Sequence, residues 1–114
     1  IRVFKTKGFN KWARKERISE SMLLEAASEI VLGRVEADLG GSLFKKRLAR
    51  GDGGKSGGYR TIVGYKKPNS DRIIFLYAFG KNAKATISEK EATALSLSVE
   101  AFIKAADEEV QQLF

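Results

Sequence analysis

Tyr59-Arg60-Thr61-Ile62-Val63-Gly64-Tyr65-Lys66, then Lys67-Pro68-Asn69-Ser70-Asp71, then Arg72-Ile73-Ile74-Phe75-Leu76-Tyr77-Ala78-Phe79, is the stretch that decides the fold. Two runs rich in β-branched and aromatic residues flank a segment whose Pro and Asn supply a turn, which reads as an antiparallel hairpin over 59–66 and 72–79. Upstream, Leu43-Phe44-Lys45-Lys46-Arg47-Leu48-Ala49 alternates. Its apolar members Phe44 and Leu48 place Lys46 on their own face and leave Lys45 and Arg47 on the other. Residues 1–6 also alternate, which suits a short first strand buried on one side.

Helical spacing fills the remainder. Asn10 can cap a short helix through Ile18, which carries Trp12 and the cations Lys11, Arg14, Lys15 and Arg17. Ser19 is a second N-cap, followed by Leu23, Ala26, Ala27, Ile30 and Val31 at steps of three and four until Gly33 stops the helix. Residues 36–42, with Gly40-Gly41, read as a connection back to the sheet. Ser88-Glu89-Lys90-Glu91 fits a capping box, and Ala92, Leu95, Val99, Phe102, Ile103, Ala106 and Val110 continue a long amphipathic helix. The sequence therefore predicts an α+β domain, with two N-terminal helices and a C-terminal helix around a largely antiparallel four-stranded sheet. The last helix has a narrow apolar stripe, so packing on the sheet and service as a detachable acidic arm are both open.

A length of 114 residues with 43% apolar content suits one domain with one core, spanning 1–114. The chain has no cysteine and no histidine. Disulfides, a thiol nucleophile, imidazole acid–base chemistry and a zinc site of the usual ligand types are thereby excluded, and no metal or cofactor is expected. The longest apolar run, 73–79, is far short of the ~20 residues that cross a bilayer, so no membrane partner is expected and the protein reads as cytoplasmic.

The formal net charge is +7, unevenly spread. Residues 1–87 hold 19 Lys and Arg against 8 Asp and Glu, whereas 88–114 hold 2 against 6. Between Lys45 and Arg60 there are six cations and one anion, Asp52. Neighbouring strands would gather Lys45, Arg47, Lys55, Arg60 and Lys81 on a polyanion, of which a phosphate backbone is the commonest. Ala49 to Ser56 imitates a nucleotide phosphate loop but lacks its first glycine and runs into a strand, where such a loop needs a helix N-terminus. A glycine loop that carries Lys55 to an extended polyanion fits better. Tyr59, beside the glycines, can stack on an unpaired base. RNA can be cut without histidine when a lysine among clustered cations takes the 2′-hydroxyl proton and arginines stabilise the phosphorane. Lys45, Arg47, Arg60 and Lys81 supply those parts, and they would equally suit plain phosphate binding.

Gly41-Ser42-Leu43-Phe44-Lys45-Lys46-Arg47-Leu48-Ala49, Gly54-Lys55-Ser56-Gly57-Gly58-Tyr59-Arg60 and Tyr77-Ala78-Phe79-Gly80-Lys81-Asn82, in this order and spacing, resemble the RelE/ParE superfamily of bacterial toxin–antitoxin toxins, most closely its HigB branch. The resemblance covers nearly the whole chain. It implies a fold similar to microbial ribonucleases and metal-independent cutting of messenger RNA in the ribosomal A site, by attack of the 2′-hydroxyl. By the same resemblance Lys45 and Arg47 match the family's strand-borne basic pair, Arg60 the arginine that holds the scissile phosphate, and Lys81 the lysine that ends the last strand. Lys46, Arg50, Lys55, Tyr59, Asn82 and Lys84 are the accompanying candidates for RNA contact. Many ribonuclease members carry an arginine where this chain has Asn82, and some carry a late tyrosine that has no counterpart after Tyr77. The implied partners are the ribosome, its messenger RNA and a separate antitoxin of helix-turn-helix type. ParE-type inhibition of DNA gyrase without RNA cleavage, or a basic nucleic-acid-binding module, are the alternatives.

Overall fold

The computed structural model describes residues 2–48, 58–66, 71–80, 87–106 and 108–109. Chain order is β1 (Arg2–Lys5), α1 (Lys7–Lys15), α2 (Glu20–Val31), β2 (Ala37–Gly40), β3 (Leu43–Leu48), β4 (Tyr59–Tyr65), β5 (Arg72–Gly80) and α3 (Glu89–Lys104). The five strands form one sheet in the order β1-β5-β4-β3-β2. β1 runs parallel to β5, and every other pairing is antiparallel. The α+β class and the helix count are those expected, but the sheet has five strands rather than four. The added strand is β2, from the segment expected to be a connection: Ala37 and Asp38 lie opposite Lys45 and Phe44, and Gly40 opposite Leu43 across a bulge. The turn expected over 67–70 lies outside the described residues, as does Val110.

The helix boundaries follow their caps. α1 begins earlier than Asn10 would place it, because the Thr6 hydroxyl accepts from the Phe9 N–H and itself donates to the Leu76 carbonyl, both at 3.1 Å. A cap already tied to the sheet outcompetes a free one. Ser19 caps α2 by accepting from Met22 N–H at 3.2 Å, and Gly33, at φ +84°, ends it. At α3 the reciprocal box forms: Ser88 Oγ accepts from Glu91 N–H at 3.1 Å, and the Glu91 carboxylate accepts from Ser88 N–H at 2.9 Å.

The sheet is covered on both faces, which explains why β5 is a near-continuous apolar run instead of an alternation. On one face α1 and α2 pack Phe9, Ala13, Leu23, Ala26, Ala27 and Ile30 against Leu48, Val63, Tyr65, Ile73 and Phe75. The rings of Phe9 and Phe75 stack with centroids 5.2 Å apart. On the other face Leu43, Ile62, Ile74, Leu76 and Phe79 meet Val99 and Phe102 of α3. β1 contributes Val3 to the first core and Phe4 to the second, so it is flanked on both sides and not on one.

α3 is thus a packed element and not a detachable arm. It crosses one end of its face, with Ser96 against Gly41, Val99 over Gly64 and the Phe102 ring edge-on to Phe4 at 5.1 Å. Gly64 is needed there, since a β-carbon would lie 2.5 Å from Val99 Cγ2. Buried Arg72 then holds the end of the helix, donating from Nη1 to the carbonyls of Phe102 and Ala105 at 2.7 Å each. Cations at a helix C-terminus satisfy the orphan carbonyls and the dipole together. No helix among the described residues is long and apolar enough to cross a membrane.

Candidate functional site

At the end of the face that α3 does not cross, cations from two adjacent strands come together. Lys45 lies opposite Ile62, and Arg47 directly opposite Arg60. Ile62 belongs to the α3-side core, and Arg60 is flanked on β5 by Phe79 of the same core, so all three cations project from that face. Arg47 is exposed, whereas the side chains of Arg60 and Lys45 retain only 14% and 16% exposure.

A bulge completes this end of the sheet. In β5, Phe75 pairs with Val63 and Tyr77 with Ile62, leaving Leu76 as the extra residue. Strict alternation from Ile73 and Phe75 would send Tyr77 and Phe79 to the α1/α2 face; one extra residue reverses them. Phe79 therefore joins the α3-side core, with Tyr77 beside it at 5.8 Å between centroids and 39% exposed. Gly58 opens β4 where Arg47 folds over it: a β-carbon there would sit 2.9 Å from the Leu48 carbonyl and 3.3 Å from Arg47 Nε. The close approach of the Leu48 carbonyl, a backbone atom that cannot swing aside, is what favours glycine here.

Two of the three cations, Lys45 and Arg60, are held by one carboxylate. Glu36, just before β2, donates its backbone N–H to the Lys45 carbonyl at 2.8 Å. Its Oε2 lies 2.9 Å from Arg60 Nε and 3.9 Å from Lys45 Nζ. Among the described residues, buried Arg60 Nη1 has no hydrogen-bond partner.

Of the residues singled out in the sequence, Lys45, Arg47 and Arg60 are brought together. Lys46 and Tyr59 are not. Lys46 points to the α1/α2 face, where Nζ donates to the Arg34 carbonyl at 2.8 Å and pairs with Glu29 at 3.0 Å. Tyr59 packs edge-on to Trp12 at 5.0 Å, and its hydroxyl donates to the Glu16 carboxylate. Both tie the sheet to the helices instead of joining the cationic cluster. Arg50, Lys55, Lys81, Asn82 and Lys84 lie outside the described residues. Glu36 was missed in the sequence, although Val35-Glu36-Ala37-Asp38-Leu39 before Gly40-Gly41 is an alternating strand followed by turn residues. Among the described residues no three carboxylates gather in a way that could hold a metal ion.

Two adjacent basic strands with an exposed tyrosine at the rim can seat a phosphate and an unstacked base. Over residues 1–114 the chain matches a family described as the RelE toxin of the RelE / RelB toxin-antitoxin system. The chain belongs to the RelE toxin family. The α+β architecture of three helices on a mostly antiparallel sheet accords with a RelE-like fold. No curated protein matches this RelE-family chain.

Proposed function

We propose that this RelE-family chain, most like the HigB branch, is an endoribonuclease toxin that cuts messenger RNA on the ribosome and stops translation. The observation that carries the reading is the convergence of Lys45, Arg47 and Arg60 at the end of the sheet face left clear by α3. In the proposed reaction the 2′-oxygen attacks the adjacent phosphorus as its proton passes to a basic side chain, and the P–O5′ bond breaks as the 5′-oxygen takes up a proton from a protonated side chain or water, giving a 2′,3′-cyclic phosphate and a 5′-hydroxyl. Arg60 holds the non-bridging oxygens as negative charge grows on them. Lys45 and Arg47 flank it as proton acceptor and charge stabiliser, and Lys81 follows β5 in sequence as a fourth cation. The partially buried setting of Lys45 and Arg60 supports this role, because electrostatic stabilisation is stronger where water is excluded. An antitoxin of helix-turn-helix type would neutralise the protein.

Induction of the chain alone, followed by mapping of RNA 5′ ends, tests the proposal. New ends within translated messages are expected. Intact messages with DNA breaks or lost supercoiling would overturn it in favour of gyrase inhibition, and salt-sensitive RNA binding without cleavage or growth arrest would reduce it to a binding module.

A further inference from the structure

We infer that Glu36 is a positioning residue of this site: its carboxylate grips Arg60 at Nε and so fixes the orientation of the guanidinium that the proposed function assigns to the phosphate. The inference rests on the proposed function for its chemistry and on separate geometry for its placement. Glu36 is itself fixed, because its backbone N–H is bonded to Lys45 within the sheet. Its Oε2 sits 2.9 Å from Arg60 Nε. Among the described residues Nη1 of the same guanidinium is buried and has no acceptor. The Glu36 carboxylate is therefore the contact that fixes this guanidinium among the described residues, and a charge-assisted bond of that kind is directional.

The sign of the charge sharpens the inference. Arg47 and Arg60 stand directly opposite each other, with Lys45 on the same face, so like charges repel across adjacent strands. Glu36 offsets that repulsion, but a carboxylate is adverse to a polyanion arriving at the same face. A surface that only docked RNA would bind better without Glu36. A surface that must hold Arg60 in one orientation would bind as well or better and react more slowly, because misorientation of a transition-state contact costs turnover and not affinity.

The experiment uses Glu36→Ala and Glu36→Gln in the full chain. For Glu36→Ala, kcat on ribosome-bound message is expected to fall about ten- to a hundredfold. Affinity for a non-cleavable 2′-O-methyl oligonucleotide should hold or tighten. Glu36→Gln keeps an acceptor for Arg60 Nε but not the charge, and should recover part of kcat. Turnover at or above wild type in both variants would overturn the inference. A second readout needs no cleavage: the Arg60 Nε–Hε NMR signal should be protected from solvent exchange in the wild-type protein and lose that protection in Glu36→Ala. Fast exchange in the wild type, or protection retained in Glu36→Ala, would overturn it even if the protein cut no RNA. Absence of cleavage with Glu36-dependent protection would sink the proposed function and leave the positioning of Arg60 standing.

Discussion

Lys45 and Lys46 are adjacent in the chain and have opposite surroundings. On the α1/α2 face, Lys46 is enclosed between β3 and α2, its ammonium taken up by a carbonyl and Glu29. On the α3 face, Lys45 shares one carboxylate with Arg60, while Arg47 stands next to both. The first face pairs its lysine with a carboxylate and a carbonyl, and the second sets three cations beside Glu36 among the described residues. A basic residue therefore serves the fold or the ligand according to which side of the strand it leaves, and the helix layer decides which side is closed.

The largest expected effect tests that difference directly. Arg60→Ala should lower cleavage about a hundredfold or more, as for loss of a transition-state contact, with a thermal midpoint near wild type. Lys45→Ala and Arg47→Ala should act in the same direction, whereas Lys46→Ala should leave turnover per folded molecule intact and cost about 1–3 kcal/mol of stability, since it removes a charged donor from both the Arg34 carbonyl and Glu29. Denaturant unfolding beside single-turnover cleavage separates the two faces. Equal, salt-rescued losses of cleavage at all four positions would erase the distinction.

An intermediate effect is expected where α3 closes its own end of the face. Gly64→Ala should cost about 1–3 kcal/mol by overpacking against Val99, and adding Val99→Ala should recover part of that loss through the space it opens. Urea titration of the single and double variants would show whether the two sites couple.

The smallest effect lies at the exposed edge, where Arg2 and Asp71 make a two-pronged ion pair with both contacts at 3.0 Å. The hydrogen bond from Arg2, assisted by its charge, holds the Asp71 carboxyl below the usual carboxylate range. The pair's contribution is therefore present above the unfolded carboxylate's value and lost as pH falls through the lowered folded one. Thermal midpoints of wild type and Asp71→Asn should differ slightly at neutral pH and converge in acid. A gap unchanged by pH would dissociate it from this carboxylate.

The sequence was most legible where structure is local. The Ser19 cap, the Ser88/Glu91 box, the Gly33 stop and the alternation through Lys45, Lys46 and Arg47 depend on residues a few positions apart, and each is found. Three features were not read, each set by distant partners. Thr6 caps α1 because it also bonds to Leu76. β2 is a strand because β3 pairs with it, and with it came Glu36, the carboxylate at the centre of the site. Tyr77 and Phe79 face the cations because of a bulge opposite Ile62 and Val63, a property of pairing that no single-strand pattern encodes. The cationic half of the site was visible as charge and alternation, while its anionic and aromatic parts depended on tertiary register.

The parallel pairing of β1 with β5 also orders events in time. Residues 2–5 leave the ribosome well before their partners, residues 72–75. β1 must wait for β5 to be made before its seat exists, while β3 and β4, which carry Lys45, Arg47 and Arg60, can meet as soon as residue 65 emerges. Of the five described strands β1 precedes the others in the chain and is placed late, and the basic strands β3 and β4 can pair before β1 takes its edge beside β5.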